Sequence, residues 1–531
     1  MDVKKFIEDG KGILGIEFGS TRIKAVLIDD SYAVIAEGGK SWENRYENDL
    51  FTYSLDDIYG GLQAAYKELK ENVQNKYGVK LTNLAGIGIS AMMHGLIALD
   101  KDDNLLTPFR TWRNTNTGKA SEILTKEFNY NIPLRWSVSH IYQGVLDGED
   151  FIPQLSYATT LAGLIHYRLT GKKVLGVGDA SGMFPIDIAN GDFNNEMIDK
   201  FEKLCIANGT TIKFRDYMPK ILTAGENAGA LTEEGAKLLD PSGALKAGIP
   251  LCPPEGDAGT GMVATNSVEK RTGNVSAGTS IFLMAVLEKD LKKVHEELDM
   301  VTTPSGDLVA MVHCNNCTSD INAWANIFKE YSQLMGEQVD MNKLFTALYS
   351  VALEGDKDCG KLLSYGYVSG EPVTGFSDGC PIFVRGADST FNLANFMRSH
   401  IYSAMGALRV GMDILVEEEG VTLDKLMGHG GFFKTPKVGQ SLMAAAMNTP
   451  VTTMKTAGEG GAWGIALLAA YLVDGQNLTL AEYLDKKVFA NENGTTLNSK
   501  EDDVIGFNKY MEKYKAGLTI EKAATTLYYK K

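Results

Sequence analysis

The sequence predicts an α/β protein of two large domains related in architecture, and three observations predict it. At 531 residues the chain is too long for one hydrophobic core, and ordinary domain sizes divide it in two with room for a small appendage. Strand-like apolar runs alternate with helical stretches over most of its length. A glycine-hydroxyl hairpin turn, Gly19-Ser20-Thr21, recurs as Gly278-Thr279-Ser280, an offset of 259 residues from 19 to 278, as expected of two similar halves. Two such halves imply a cleft.

Composition narrows the class. With 44% hydrophobic and 22% charged residues the chain is an ordinary globular one, which excludes fibrous and disordered classes. A formal net charge of −15 argues against nucleic acid or an anionic membrane surface as partner, since both need a basic face. No run approaches a membrane span and residues 1–11 carry no apolar signal core, so the expectation is a cytoplasmic protein. Six cysteines make no disulfide framework in a chain this long. Cys314 and Cys317 form a C-x-x-C without a second pair at zinc-ribbon spacing, and read as small residues near a strand end.

Taken in order, Gly12–Asp29 is two apolar runs about a Gly-Ser-Thr turn, a β-hairpin signature. Leu55–Tyr77 keeps helical spacing, with Leu62, Ala65, Tyr66 and Leu69 on one face. Leu84–Ser90 and Leu96–Leu99 read as strands around Met92-Met93-His94-Gly95, and Leu161–Leu169 as a helix stopped by Gly171. Gly248–Gly261 is a Gly- and Pro-rich loop around a short strand, immediately before the second hairpin at Gly273–Leu283. A long helix is expected over Ser399–Glu417 and a Gly-rich strand-to-helix passage at Met427–Gly439. Beyond about Asn477 the pattern loosens into a polar tail, Lys486–Lys531, read as a capping helix pair or a mobile end.

Phosphate oxygens need several backbone N–H donors close together, and Gly-Ser/Thr turns supply them. Two such hairpins facing one another would cradle a triphosphate, although each alone is a common turn. A Walker loop is absent, because Val34 stands where its first glycine would precede Gly39-Lys40-Ser41. Gly86–Ala91 matches a loose dinucleotide fingerprint within a strand-like run, which is taken as chance and disfavours a nicotinamide enzyme. Asp257, in Glu255-Gly256-Asp257, is a carboxylate just ahead of the second hairpin, placed to accept a proton from an attacking hydroxyl; the alternative is an Asx-turn among glycines. Gly428-His429-Gly430-Gly431 and Thr456–Gly464 offer flat backbone to a purine or, alternatively, close helix-to-strand packing.

The first hairpin, Met93-His94-Gly95, Tyr167–Gly171, Asp179–Gly182, Gly256-Asp257, Gly278-Thr279-Ser280, Gly430-Gly431 and Gly461–Gly464 form an ordered set that resembles the FGGY family of carbohydrate kinases over roughly residues 12–475. The resemblance implies two ribonuclease-H-like domains of the actin-like ATPase fold, 1–267 for sugar and catalytic base, 268–480 for nucleotide, with a hinge near Val268–Thr272 and an extension at 481–531. It implies phosphorylation of a ketose by ATP, with Asp257 as general base. Met93, His94, Gly95, Trp112 and Asp257 would touch the sugar. Gly19, Ser20, Thr21, Lys24, Gly278, Thr279, Gly430, Gly431 and Lys434 would serve ATP and its phosphates, and Glu17 with Asp257 would hold Mg2+ through water.

Met93-His94-Gly95 is most similar to the xylulokinases, which makes a pentulose such as xylulose the first expectation. Three departures keep L-ribulose, another ketose or a polyol open: Glu17 for an Asp, Met92 for a Gln, and Trp112-Arg113-Asn114 for Trp-Asn-Asp. His94 has a bland alternative as a core histidine. Two rival classes are a catalytically silent sugar sensor or assembly protein on the same scaffold, and an ATPase acting on protein clients. The implied partners are a small sugar and ATP, with neither nucleic acid nor membrane, and a homodimer is left open.

Overall fold

Both hairpins form where the apolar runs place them, and each seeds a sheet. The computed structural model describes residues 2–454, 460–475, 477–491 and 494–529. The described residues fall into two units, each assembled from three stretches of chain: 1–268, 300–309 and 459–491 in unit 1, and 269–299, 310–458 and 492–531 in unit 2. The first passage from unit 1 to unit 2 falls between Val268 and Glu269. The segments 300–309 and 459–491 belong with unit 1, and residues 492–531 with unit 2.

Unit 1 is built on β1 (Ile13–Phe18), β2 (Arg22–Ile28), β3 (Val34–Ser41), β4 (Gly86–Ala91) and β5 (Glu255–Gly256), in the order β5-β4-β1-β2-β3. β1, β2 and β3 run antiparallel in sequence, while β4 joins β1 and β5 joins β4 in parallel. Leu14, Ile16, Leu27 and Ile89 are fully buried in the core.

The Leu55–Tyr77 helix starts where the Ser54 side chain accepts from Asp57 N and stops on Gly78 at φ +68°, a left-handed cap that glycine adopts without strain. Its face of Leu62, Ala65, Tyr66 and Leu69 is buried as the periodicity expects. The same helix covers the free edge of β3: Glu68 accepts from Gly39 N at 2.6 Å, Asn72 Nδ2 donates to Glu37 O at 2.8 Å, and Tyr77 OH donates to Ile35 O at 2.9 Å. Backbone groups of an edge strand are thereby satisfied by side chains instead of by another chain.

The Gly460–Asp474 helix lies on β1 and β4. A Cβ on Gly15 would run into Ala462 O and one on Gly88 into Ile465 O, so backbone meets backbone there. That close approach is why glycines punctuate Gly86–Ala91, a run whose match to a nucleotide fingerprint is read as chance. The alternative of close packing also holds for Gly461–Gly464, since a Cβ on Gly464 would meet the Thr260 carbonyl; residues 456–459 of that passage lie outside the described residues.

Unit 2 contains β6 (Thr272–Ala277), β7 (Ile281–Val286), β8 (Leu308–Cys314), β9 (Lys425–His429), β10 (Val451–Thr453) and β11 (Thr495–Leu497), in the order β8-β7-β6-β9-β10-β11. β6 and β7 are antiparallel, and β9 joins β6 and β10 joins β9 in parallel. The run β10-β9-β6-β7-β8 thus repeats β5-β4-β1-β2-β3, which is the internal duplication the recurring hairpins announce. The long helix is Leu393–Asp413, continued by a wider turn over Ile414–Glu418. The polar tail ends in a 28-residue helix, Glu501–Tyr528, packed on unit 2 through Phe507, Tyr510 and Tyr514, with Asp503 accepting from the fully buried Arg398 at 2.8 Å.

Candidate active site

In unit 1 the turn between β1 and β2 is held from behind. Gly19 N donates to Arg22 O at 3.0 Å, Trp42 Nε1 to Gly19 O at 2.7 Å, Tyr53 OH to Ser20 O at 2.6 Å and Trp42 N to Thr21 O at 3.1 Å. Trp42 stacks on Tyr53 with ring centroids 4.1 Å apart. All three carbonyls of Gly19-Ser20-Thr21 are therefore taken by protein donors, and what the turn retains for a ligand is N–H and hydroxyl. Trp112, 38% exposed, donates from Nε1 to Ser20 Oγ at 3.2 Å, so two residues expected on sugar and phosphate meet here.

The turn in unit 2 repeats this logic with different side chains. Gly278 N donates to Ser280 O at 2.9 Å, Thr318 Oγ1 to Gly278 O at 2.8 Å and Cys317 N to Thr279 O at 3.0 Å. Again three carbonyls are tied back and a donor-rich turn results. Cys314 and Cys317 are buried, with thiols pushed up by desolvation, and the second of them supports this turn through its backbone.

Asp257 heads the Asp257–Ala264 helix, with Gly256 of β5 as its N-cap. Its Oδ1 accepts from Met93 N at 3.1 Å, which joins the expected base to the expected sugar segment. The residue is exposed, yet surrounding protein desolvates its carboxyl enough to raise its pKa against the lowering effect of the Met93 N–H and of Arg135. A weakened acid of this kind is a better proton acceptor.

Three more carboxyls stand in the same unit. Glu17, on β1, accepts from Ala462 N at 3.1 Å; burial and the field of Asp257 lift its pKa to about 7. The methylene that distinguishes it from Asp is spent in reaching the start of the Gly460–Asp474 helix, where a carboxylate is favoured. Asp179, wholly buried, accepts from Thr160 Oγ1 at 2.6 Å and is lifted to about 7 by burial against that bond. Glu255 accepts from Gly178 N at 3.2 Å and Asp179 N at 2.9 Å, and burial lifts it to about 8. Among the described residues no group of three or more His, Cys, Asp or Glu is placed to hold a metal. Glu17 and Asp257 each use one oxygen on a backbone N–H and repel one another, a pairing that suits a hydrated divalent cation better than direct chelation. Lys24 lies across from Glu17 on β2 and pairs with Glu37 at 3.4 Å.

His94 is buried at φ +70° and Gly95 follows at φ +79°. A side chain on Gly95 would collide with Arg110 O, so the tight passage requires glycine. His94 Nδ1 is 3.3 Å from Gly182 O, and a carbonyl only accepts, so Nδ1 carries a proton. Of the departures, Met92 is in the hydrophobic core. Asn114 spends its amide on the Phe51 backbone at 2.8 Å in both directions, and the Arg113 guanidinium lies 3.9 Å over the Phe51 ring.

In unit 2, Gly430 adopts φ +100° against Ala277 O, while a Cβ on Gly278 or Gly431 would meet nothing within 4 Å. Those two glycines thus border open space and have no packing reason to lack a side chain. His429 is desolvated, which lowers its pKa, and Lys434 is exposed. The supports of the site, Trp42, Tyr53, Thr160 and Thr318, gave no signal in the sequence. Glu255 was visible only as the neighbour of Asp257.

A duplicated mixed sheet with a glycine-hydroxyl turn between its first two strands, in each of two units, is the actin-like ATPase fold. Residues 12–140 match the N-terminal domain of the FGGY family of carbohydrate kinases, and residues 273–473 its C-terminal domain. The chain belongs to that family. Over 475 residues it is 23% identical to a xylulose kinase of Haemophilus influenzae, covering 86% of this chain and 90% of that one. Against a xylulose kinase of Bacillus subtilis it is 21% identical over 473 residues, covering 87% and 88%. Among solved structures, the ligand-bound xylulose kinase of Lactobacillus acidophilus aligns with a TM-score of 0.78 at 17% identity, over 97% of this chain and 99% of that one. The gluconate kinase of the same organism aligns equally, 0.78 at 18% identity over 98% and 99%. Among the described residues no helix is long and apolar enough to cross a membrane.

Proposed function

We propose that this carbohydrate kinase transfers the terminal phosphate of ATP to a hydroxyl of a ketose, with a pentulose such as xylulose as the first candidate and Asp257 as general base. The observation that carries the reading is the Asp257 Oδ1 to Met93 N hydrogen bond, because it fixes the proton acceptor to the segment that bears His94. In unit 1 the sugar lies against Met93, His94, Gly95 and Trp112, with His94 Nε2 hydrogen-bonded to one hydroxyl. Asp257, its pKa raised, takes the proton of the attacking hydroxyl, and Ser20 and Thr21 present N–H donors to phosphate. In unit 2 the Gly278-Thr279 turn serves the phosphates and Gly430-Gly431 the adenosine, with Lys434 as a flanking cation there and Lys24 as one in unit 1. Mg2+, when bound, neutralises phosphate charge, and Glu17 with Asp257 would hold it through water.

Two of the three departures bear little on the sugar, since Met92 is core and Asn114 is spent on Phe51, which favours a pentulose over the other ketoses and polyols. The equal alignment with a gluconate kinase makes a sugar acid the specific competitor. The test is ATP turnover, with detection of the phosphorylated product, against D-xylulose, L-ribulose, D-fructose, gluconate and glycerol. The reading expects a kcat/KM for one pentulose at least tenfold above the rest. Preference for gluconate, or ATP hydrolysis unchanged by any of them, overturns it.

A further inference from the structure

We infer that Glu255 is a positioning residue for phosphoryl transfer, setting the head of the Asp257–Ala264 helix by gripping the Val177–Ala180 turn. The inference rests on the reading of Asp257 as base and goes beyond it. Glu255 is 1% exposed and lies in β5, in register with Ser90 of β4. Both carboxylate oxygens are used, Oε1 on Gly178 N at 3.2 Å and Oε2 on Asp179 N at 2.9 Å. Gly176 and Gly178 make room for the carboxylate: a Cβ on either would overlap it. Gly176 N also donates to Pro254 O at 2.8 Å, so the strand and the turn are laced together by three hydrogen bonds.

The turn is itself anchored on its far side. Thr160 Oγ1 donates to Asp179 Oδ2 at 2.6 Å, Ser181 Oγ donates to Gly178 O at 2.6 Å and accepts from Thr302 N at 3.0 Å, and Thr302 Oγ1 donates to Val177 O at 3.0 Å. Glu255 therefore connects β5 to a fixed point. One residue later, a Cβ on Gly256 would overlap Met93 Cγ, so the backbone between Glu255 and Asp257 is seated directly on the sugar segment. A small shift of β5 would lengthen the 3.1 Å bond from Met93 N to Asp257 and turn the carboxylate away from the hydroxyl it serves.

Two N–H donors require two acceptor oxygens. Glutamine supplies one and sets an amine against the other N–H, so at pH 9, above the value of about 8 to which burial lifts Glu255, Glu255→Gln keeps the volume and breaks the grip, and the comparison is made at that pH. The experiment compares Glu255→Gln in the parent and in an Asp257→Asn background, measuring kcat, KM for ATP and for the sugar, and thermal unfolding. In the parent the substitution is expected to lower kcat about tenfold to a hundredfold, the scale of a misplaced reacting group, with both KM values within about twofold. In the Asp257→Asn background it is expected to cost nothing further, since the group it positions is gone.

An equal fall in kcat in both backgrounds, or parent-like kcat in Glu255→Gln beside a crippled Asp257→Asn, overturns the inference. Parent-like turnover in Asp257→Asn alone overturns the base reading instead, and the two failures are distinct. Should Glu255→Gln fail to fold, Gly178→Ala presses a methyl against the same carboxylate and is judged in the same two backgrounds by the same criteria.

Discussion

Replacing Asp257 by Asn removes a charge and a proton acceptor while keeping the frame, because the side-chain oxygen of Asn still accepts from Met93 N. A positioned general base contributes about two to four orders of magnitude, equivalent to about 3–5 kcal/mol at roughly 1.4 kcal/mol per decade. Turnover should fall by that factor, with sugar affinity largely intact. The sign of the stability change is fixed separately. Desolvation raises the folded-state pKa of Asp257 above its ordinary value, so the native state loses stability as the group ionises with rising pH. At pH 7–8 the Asn variant should be at least as stable as the parent, a trade of stability for function. Glu17, relieved of a repelling neighbour, should titrate below its parent value of about 7. Steady-state rates of ADP and sugar-phosphate formation, calorimetric sugar titration and differential scanning calorimetry test these outcomes together. Turnover within tenfold of the parent refutes the assignment. A marked drop in melting temperature refutes the claim that the frame survives.

The pH dependence of stability should run against the usual trend over the neutral range. Glu17, Asp179 and Glu255 bind protons more tightly folded, at about 7, 7 and 8, than unfolded, so their contribution to stability is full below the ordinary carboxylate range and is lost as pH rises to about 8, lowering the melting temperature by several degrees between pH 5 and pH 8; a rising or level profile over that interval refutes this. Gly278→Ala and Gly431→Ala add a methyl to open space and should leave melting unchanged while weakening ATP in calorimetric titration by about tenfold, whereas Gly430→Ala, at φ +100° against Ala277 O, should lose about 1–3 kcal/mol of stability in denaturant unfolding. His94→Ala should raise KM for the sugar by roughly 5- to 150-fold, the kinetic equivalent of about 1–3 kcal/mol for an unpaired buried hydroxyl, and leave KM for ATP unchanged; the reverse pattern places the pocket elsewhere.

What was legible in the sequence was written locally. The Leu55–Tyr77 helix declares itself by its spacing, its Ser54 start and its Gly78 stop, and the hairpins by apolar runs around glycine-hydroxyl turns. The Glu501–Tyr528 helix was legible only as one of two alternatives, a capping helix pair or a partly mobile end, because Gly506 and Gly517 interrupt it and its buried aromatics, Phe507, Tyr510 and Tyr514, sit among lysines and glutamates. At the site, Asp257 and the two turns could be named because short glycine-rich segments carry them. The residues that hold the site, Trp42 for Gly19, Thr318 for Gly278 and Thr160 for Asp179, act across 19 to 40 positions and are ordinary residues in their own neighbourhoods. Gly461–Gly464 shows the converse: glycines that invite a ligand reading are there to let a helix touch a sheet.

The assembly of unit 1 from three stretches of chain imposes an order on its synthesis. β1 and β4 are made early, but the Gly460–Asp474 helix that covers Gly15 and Gly88 emerges 192 residues after Val268. At about 5–20 residues per second a ribosome needs about 10–40 s for that interval. Through it the nascent sheet presents a glycine-lined apolar surface with no helix to cover it, and a chaperone has that time in which to bind. A fragment ending near Val268 therefore lacks one wall of its own core, and the duplicated halves, alike as they are in strand order, are not separable modules.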